Sequence, residues 1–240
     1  MLDQGWKKES LYYLNNTIDE KEIFKCITSF SNEESVESAK KSARVLAFKK
    51  EHKLENEKIF LLCGRLTEKS ELNLLIETLG KCTAKERDDL LFVIIGDGPQ
   101  LGVYKQQAEI CGIAKNFLWL GSIYEEIELT PWFLSADYFI YPGAIGLSVN
   151  HAMSYGLPVI THNNRQKQMP EFSYIKDGSN GLLYEDQSID SLRSIILKAV
   201  SKTNIKIDDV LHSAYQDFSF DKMVDNFKRC LIDEKSTISI

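Results

Sequence analysis

The sequence of 240 residues predicts an α/β fold built on one doubly wound parallel sheet of about six strands. Short apolar runs alternate with longer amphipathic segments through the centre of the chain. Most of the runs lack strict alternation of apolar and polar residues, which is typical of strands covered on both faces by helices. Repeated strand–helix units of this length favour parallel strands joined by right-handed crossovers.

The predicted elements follow from these patterns, and several of the runs end in glycine. The predicted strands are Ile59–Cys63, Leu90–Ile95, Phe117–Leu120, Tyr138–Tyr141, Pro158–Thr161 and Gly181–Tyr184. The helices predicted between and after them are Leu72–Lys81, Gln100–Cys111, Val149–Tyr155 and Ile189–Lys202.

The two ends of the chain depart from this alternation. Residues 1–55 are predicted to form a linker or helical extension, with a candidate strand at Leu11–Leu14 and helices at Asp19–Phe30 and Glu33–Glu51. The main domain is expected over residues 56–232 and closes with an amphipathic helix at Ser219–Leu231. Residues 233–240 are predicted to be a frayed tail.

Composition indicates a globular protein and disfavours a nucleic-acid binder. Hydrophobic residues make up 43% and charged residues 27%, and the net charge is −6. Nucleic-acid-binding domains usually carry a basic patch. The basic stretches Lys40–Arg44 and Lys49–Lys53 are interpreted as a solvated helix face, with contact to an anionic membrane as the alternative.

The five cysteines contain no CxxC pair and are odd in number. This favours a reducing cytoplasm and argues against a disulfide framework and a zinc site. No apolar run approaches the ~20 residues that a membrane-spanning helix needs. The sequence therefore predicts a cytoplasmic protein, with any membrane contact peripheral and at the inner face.

Ligands of such sheets bind outside the carboxyl ends of the strands, so the loops after the strands are the candidate site. Arg65 lies in Gly64–Thr67, directly after the first central strand. Arginine can hold two oxygens of a diphosphate at once, although a surface salt bridge is the equal alternative. Gly96–Pro99 has the residues of a turn before a helix, and a structural role is favoured there. The chain has neither a GxGxxG nor a P-loop motif, so neither a dehydrogenase nor a P-loop kinase is indicated.

Two further loops carry candidate ligand-binding residues. Gly143–His151 opens a helix with two glycines, and free N–H groups in a first helical turn bind phosphate. Ser148 adds a hydroxyl donor, whereas an isolated helical histidine such as His151 more often serves packing. Glu171 lies in the following loop and must be exposed or hydrogen-bonded, because burying an unpaired carboxylate is costly. The alternative role for Glu171 is a favourable charge at a helix start.

Taken in order, these loops resemble the C-terminal, donor-binding domain of a GT-B-fold glycosyltransferase of glycosyltransferase family 4 (group 1). Each motif is weak alone, but the ordered set between Lys58 and Val200 is specific. The matching segments are Gly64–Leu66, Gly96–Pro99, Trp119–Gly121, Glu125–Ile127, Ala136–Pro142, Ala152–Ile160, Pro170–Glu171 and Asp177–Leu183.

The resemblance implies a Rossmann-like domain that binds a UDP- or GDP-linked sugar without a metal and without a cofactor. Fixed donors and cations would stabilise the departing diphosphate. Residues implied for the diphosphate are Arg65, Lys69, Gly146, Leu147 and Ser148. Those implied for the base and ribose are Leu120, Gly121, Tyr124 and His151, and those for the sugar are Gln168, Met169, Pro170 and Glu171. No catalytic residue is assigned.

The chain departs from the family pattern at three positions. The two glutamates of the family's E-x7-E motif align with Gly143 and His151, and neither is acidic. A carboxylate can accept both ribose hydroxyl protons, whereas a neutral histidine accepts one. The family's lysine after GRL aligns with Ser70, and the adjacent Lys69 is its candidate replacement. A divergent subfamily is favoured over an inactive domain.

A GT-B enzyme needs two Rossmann-like domains, and the resemblance accounts for one. The expected function is transfer of a sugar, with retention, to a glycan or lipid-linked acceptor once an acceptor domain from a partner or a longer chain completes the cleft. Polysaccharide biosynthesis is the family-level setting. The alternatives are a non-catalytic nucleotide-sugar-binding or scaffold module and a fragment of a GT-B-like nucleotide-sugar epimerase.

Overall fold

A computed structural model describes residues 16–201 and 205–236 of the chain, without the side chains from residue 232 onward. Its six strands form one parallel sheet in the order β3-β2-β1-β4-β5-β6. This confirms the predicted fold class. The strands are β1 Lys58–Cys63, β2 Leu90–Ile95, β3 Phe117–Gly121, β4 Tyr138–Ile140, β5 Val159–His162 and β6 Gly181–Tyr184.

Helices cover both faces of the sheet, and most of the predicted ones are present within about a residue of their expected bounds. They are α1 Glu20–Ser31, α2 Val36–Lys40, α3 Ala43–Glu51, α4 Leu72–Lys81, α5 Ala84–Arg87, α6 Leu101–Ile110, α7 Glu126–Ser135, α8 Ser148–Ser154, α9 Ile189–Ser201, α10 Ile207–Phe218 and α11 Phe220–Ser236.

Both ends differ in detail from the prediction. The single helix expected at Glu33–Glu51 is divided into α2 and α3, because the Ser42 side chain accepts from the Val45 N–H and starts a new helix. Helix α11 continues to Ser236, so the tail predicted from residue 233 begins as helix. The candidate strand Leu11–Leu14 lies outside the described residues.

Three helices were not predicted, namely α5, α7 and α10. Helix α7 contains Pro131, which usually ends a helix, and every residue of Leu129–Ser135 is buried. A helix buried on all sides has no amphipathic stripe, so periodicity does not reveal it. Helix α7 is therefore recognisable from its burial in the folded chain and not from a pattern in the sequence.

The core lies in two layers because alternate residues of each strand face opposite sides of the sheet. Leu61 and Phe139 pack with α1, α7 and α8 on one side, whereas Phe60 and Ile140 pack with α4, α6 and α9 on the other. Residues of α1, α2 and α3 belong to the first layer, so the segment predicted as an extension packs against the same core as the main domain.

The strand order reverses between β1 and β4, which are neighbours in the sheet. From β1 the chain proceeds to β2 and β3 on one side, and from β4 to β5 and β6 on the other. The loops after β1 and β4 therefore leave in opposite directions and open a crevice at the carboxyl edge of the sheet. This is the place where the candidate site residues must meet if they form one site.

Candidate functional site

The loop after β1 is braced by the loop after β2 through direct backbone contact. A Cβ atom on Gly96 would lie 1.9 Å from the Gly64 carbonyl oxygen, and one on Gly98 would lie 2.2 Å from that of Leu66. The Leu66 N–H also donates to the Asp97 carbonyl at 2.9 Å. Glycine is therefore required at both positions, and Gly96–Pro99 holds the Arg65 loop in place.

On its other side, the β1 loop is pressed against the loop after β4. A Cβ atom on Gly143 would lie 1.9 Å from the Lys69 carbonyl oxygen. Position 143, where the family has a glutamate, thus has no space for any side chain in this structure. Ser70 is fully buried and its hydroxyl donates to the Thr67 carbonyl at 2.6 Å, whereas Lys69 is exposed on the same turn.

Arg65 and Lys69 are exposed cations, and neither forms an ion pair or side-chain hydrogen bond with any residue in 16–201 or 205–236. Arg65 lines an open cavity of about 550 Å³ at the ends of β1, β2 and β3. The other lining residues are Cys63, Gly64, Ile95, Gly96, Asp97, Gly98, Ser122, Ile123 and Tyr124. The structure therefore brings Arg65 and Tyr124 to one cavity.

The residues that line the cavity near Tyr124 differ in part from those expected to bind the base. Tyr124 is 87% exposed and lines the cavity together with Ser122 and Ile123, which sequence reasoning did not single out. Leu120 packs against the first core layer. The carbonyl of Gly121 accepts from the Gly96 N–H at 2.7 Å and so joins the β2 and β3 loops.

The glycine loop before α8 is tied to the end of β5 by one side chain. Gln168 accepts from the Ile145 N–H at 2.8 Å and donates to the Thr161 hydroxyl and the His162 carbonyl, each at 3.0 Å. Both polar ends of Gln168 are thus engaged within the protein. Beyond Ile145, the N–H groups of residues 146–148 have no acceptor within the described part of the chain.

Glu171 is a buried carboxylate that is only half satisfied. Its side chain accepts from the Asn16 amide at 3.0 Å through Oε1, while Oε2 has no hydrogen-bond partner among the described residues. A Cβ atom on Gly146 would lie 4.0 Å from Oε2 and 3.7 Å from Met169. Glu171, Met169 and Gly146 are therefore neighbours, and Pro170 starts the short helix that carries Glu171.

His151 is held by a carboxylate that sequence reasoning left without a role. Its Nε2 lies 2.9 and 3.1 Å from the two carboxylate oxygens of Glu126, and the Tyr155 hydroxyl also donates to Glu126. Burial opposes ionisation of Glu126, but the hydrogen bonds from His151 and Tyr155 outweigh it and lower the pKa of the carboxyl. In the sequence, the acidic pair at positions 125 and 126 belongs to a segment that matches the family, but nothing in it indicates His151 as a partner.

Within the two described ranges, no group of three or more His, Cys, Asp and Glu side chains is placed to hold a metal ion. In the same ranges, no helix is both long and apolar enough to cross a membrane.

The family of the chain follows from its match to a protein-family model. Residues 43–211 match the model of glycosyl transferases group 1. The chain belongs to this family.

Named relatives share the fold over most of this chain and carry a further part of their own. The pneumococcal alpha-monoglucosyldiacylglycerol synthase (Streptococcus pneumoniae strain ATCC BAA-255 / R6) is 28% identical over 152 residues, which is 62% of this chain and 33% of that protein. HepE of Anabaena, solved in complex with UDP and glucose, superposes with a TM-score of 0.71 at 17% identity, over 96% of this chain and 59% of its own.

A glycosyltransferase of Rickettsia africae ESF-5 superposes with a TM-score of 0.69 at 15% identity, over 95% of this chain and 57% of its own. The chain thus spans a third of the curated relative and less than two thirds of these structures. The structural likeness confirms the GT-B C-terminal fold.

Replacing Gly143 with alanine is expected to lower the free energy of unfolding by about 1–3 kcal/mol, the usual cost of overpacking. The new methyl group would meet the Lys69 carbonyl, which belongs to a braced backbone. Urea unfolding measures the change. The control is Gly102→Ala in α6, where a Cβ has open space and a gain of about 0.5–1 kcal/mol is expected. Equal free energies of unfolding for the two variants would contradict the close contact between Gly143 and the Lys69 carbonyl.

His162, at the end of β5, is expected to make stability depend on pH. Burial lowers the pKa of His162 below its ordinary value of 6.5, with Asp186 opposing part of this. The unfolded chain then takes up a proton that the folded chain resists, so the free energy of unfolding falls as pH drops below about 6.5. Urea unfolding at pH 7.5 and 5.5 measures the difference.

The matched variants for this test are His162→Gln and His212→Gln, the second at an exposed position of α10. His162→Gln should reduce the loss of stability between the two pH values, and His212→Gln should leave it as in the unaltered chain. An unchanged pH dependence in His162→Gln would refute the assignment.

Proposed function

We propose that this chain is the donor-binding half of a retaining glycosyltransferase that uses a UDP-linked sugar and acts once an acceptor domain completes the cleft. The observation that supports the proposal is that hydrogen-bond donors without partners among the described residues lie on both sides of the crevice. Arg65 on the β1 side has no ion pair, and the N–H groups of residues 146–148 on the β4 side have no acceptor, in the described part of the chain. A diphosphate satisfies both sides.

The diphosphate is assigned to Arg65, Lys69 and the glycine loop through Ser148. A departing nucleoside diphosphate develops negative charge, and fixed cations and amides stabilise that charge without a metal. Lys69 takes the place of the family's lysine because it is exposed on the turn where Ser70 is buried. The Ser148 hydroxyl adds a donor at the start of α8.

The rest of the donor extends to both sides of the diphosphate. The base is assigned to Tyr124 and the neighbouring cavity wall, and the ribose to His151. The sugar is assigned to Met169 and Glu171, because Oε2 of Glu171 has no donor among the described residues and a sugar hydroxyl supplies one. Gln168 contributes by holding the glycine loop, since both of its polar ends are engaged.

The choice of UDP and of a glycan or lipid-linked acceptor draws on the relatives. The Anabaena HepE structure contains UDP and glucose, and the pneumococcal relative is named as a synthase of a glucosyl lipid. The surface for an acceptor domain is assigned to α11, where Phe227 and Leu231 are exposed at 53% and 47%. Large apolar side chains in a row on one helix face favour a protein partner.

A non-catalytic nucleotide-sugar-binding module is the second candidate, and one observation favours it. The contact of Gly143 with Lys69 leaves no space for the first family glutamate, so that group cannot be restored at its own position without moving the β1 loop. The two candidates differ in turnover: the first predicts sugar transfer when an acceptor domain is added, and the second predicts binding alone.

Replacing Arg65 with alanine is expected to weaken UDP binding by about 1.5–3 kcal/mol, the usual value of a hydrogen bond to a charged group. Isothermal calorimetry measures this, with Arg229→Ala on the exposed face of α11 as the control. If the unaltered chain binds neither UDP, GDP nor UDP-glucose, the donor site is wrong.

Replacing Glu171 with glutamine is expected to weaken UDP-glucose binding at least about fivefold while leaving UDP binding nearly unchanged, because only the sugar reaches Oε2. The Asn16 contact can be kept by the glutamine oxygen. Calorimetry with both ligands separates the two effects. Equal weakening toward UDP and UDP-glucose would place Glu171 outside the sugar subsite.

A further inference from the structure

Glu126 is an ionised carboxylate at the first residue of α7, and the proposed function gives it no task. Its side chain is 23% exposed and that of His151 is 18% exposed, so both are partly accessible at the edge of the core. Replacing such a partly desolvated pair with apolar residues is often neutral or stabilising. Stability is therefore a weak reason for an acid and an imidazole to be placed together here.

The contacts of Glu126 fix which nitrogen of His151 carries a proton toward it. An ionised carboxylate only accepts hydrogen bonds, so the Nε2 that lies 2.9 Å from it must be protonated. Tyr155 donates to the same carboxylate and Thr130 lies 2.8 Å from the Tyr155 hydroxyl, so the acid is itself anchored. Burial and the nearby Glu126 raise the pKa of Tyr155, and its hydroxyl therefore stays a donor.

Aromatic packing fixes the plane of the same imidazole. The ring centroid of Phe133 lies 4.4 Å from that of His151, and the Tyr155 ring meets it edge-on at 5.7 Å. No residue within the described ranges forms a hydrogen bond with Nδ1 of His151. The ring is thus held on one edge and by its faces, while the Nδ1 edge remains for another group.

The position of His151 in the fold indicates which part of a nucleotide would bind its Nδ1. Helix α8 begins at Ser148 with the unengaged amides, and His151 lies one turn further along it. Helix α7 begins directly after the cavity loop that contains Tyr124, and its Glu126 touches His151. His151 therefore lies between the diphosphate side and the base side of the crevice, and in a nucleotide the group that joins phosphate to base is the ribose.

We propose that Glu126 is a positioning residue that fixes the Nε2–H form of His151, so that Nδ1 is presented to a ribose hydroxyl of the bound nucleotide. This inference rests on the proposed function. Glu126 on α7 would then act through His151 on α8 to make binding depend on the ribose hydroxyls.

The test compares UDP with 2′,3′-dideoxy-UDP by calorimetry. The unaltered chain is expected to bind UDP about tenfold or more tightly than the dideoxy ligand, as for a well-placed polar contact. Glu126→Gln should reduce that ratio to about threefold or less, because an amide can face Nε2 as donor or acceptor and no longer fixes the tautomer. Inorganic pyrophosphate should bind both proteins equally.

The control is Glu128→Gln, an exposed acid on the same helix, which should keep the full ratio. A full ratio in Glu126→Gln overturns the inference while leaving the donor site intact. Absence of UDP binding by the unaltered chain contradicts the proposed function as well, so the two failures are distinguishable.

A second measurement needs no substitution and so does not depend on the folding of a variant. Nitrogen-15 NMR of the unaltered chain should show His151 protonated at Nε2 and its Nδ1 resonance moving when UDP is added. Pyrophosphate should leave that resonance in place. A His151 protonated only at Nδ1, or a resonance indifferent to UDP, overturns the inference.

Discussion

The β1 loop is the constraint on which the crevice depends, because its backbone is in direct contact with backbone or glycine on both sides. Gly96 and Gly98 allow the β2 loop to approach Gly64 and Leu66, and Gly143 allows the β4 loop to approach Lys69. No side chain fits in any of these contacts. The loop is therefore held by main-chain packing, and its cations Arg65 and Lys69 are exposed and form no ion pair with any described residue.

This packing also explains why the acids at this edge come from unexpected elements. A glutamate at position 143 is incompatible with the contact to Lys69, so the β4 loop carries no acid there. The carboxylates around α8 come instead from α7, as the partly exposed Glu126, and from the loop after β5, as the buried Glu171. The absence of an acid at position 143 thus has a structural cause, and carboxylates from other elements lie around α8.

The fold was predictable from the sequence because buried parallel strands are continuous apolar runs, and Leu90–Ile95 and Gly181–Tyr184 match their predicted bounds. Helix α7 was not predictable, since Pro131 and the burial of every residue in Leu129–Ser135 remove its signal. The positions of the site loops can be predicted from the topology of a parallel sheet. The contacts that residues of these loops make with one another cannot. The contact of Gly143 with Lys69 and the Glu126–His151 pair join residues 74 or 25 positions apart, and only the folded chain shows them.

Oε2 of Glu171 has no hydrogen-bond partner among the described residues, and this bears on the proposed recognition of the donor. A buried carboxylate oxygen without a donor costs free energy, and in the proposed site a sugar hydroxyl would remove that cost on binding. The fold holds Glu171 through Asn16 and the glycine loop through Gln168, so both are positioned before any ligand binds. In the proposed function, donor recognition therefore uses residues of this domain. In the proposed function, transfer also requires an acceptor held in line with the sugar, and that positioning, which supplies much of an enzyme's rate, is assigned to the acceptor domain.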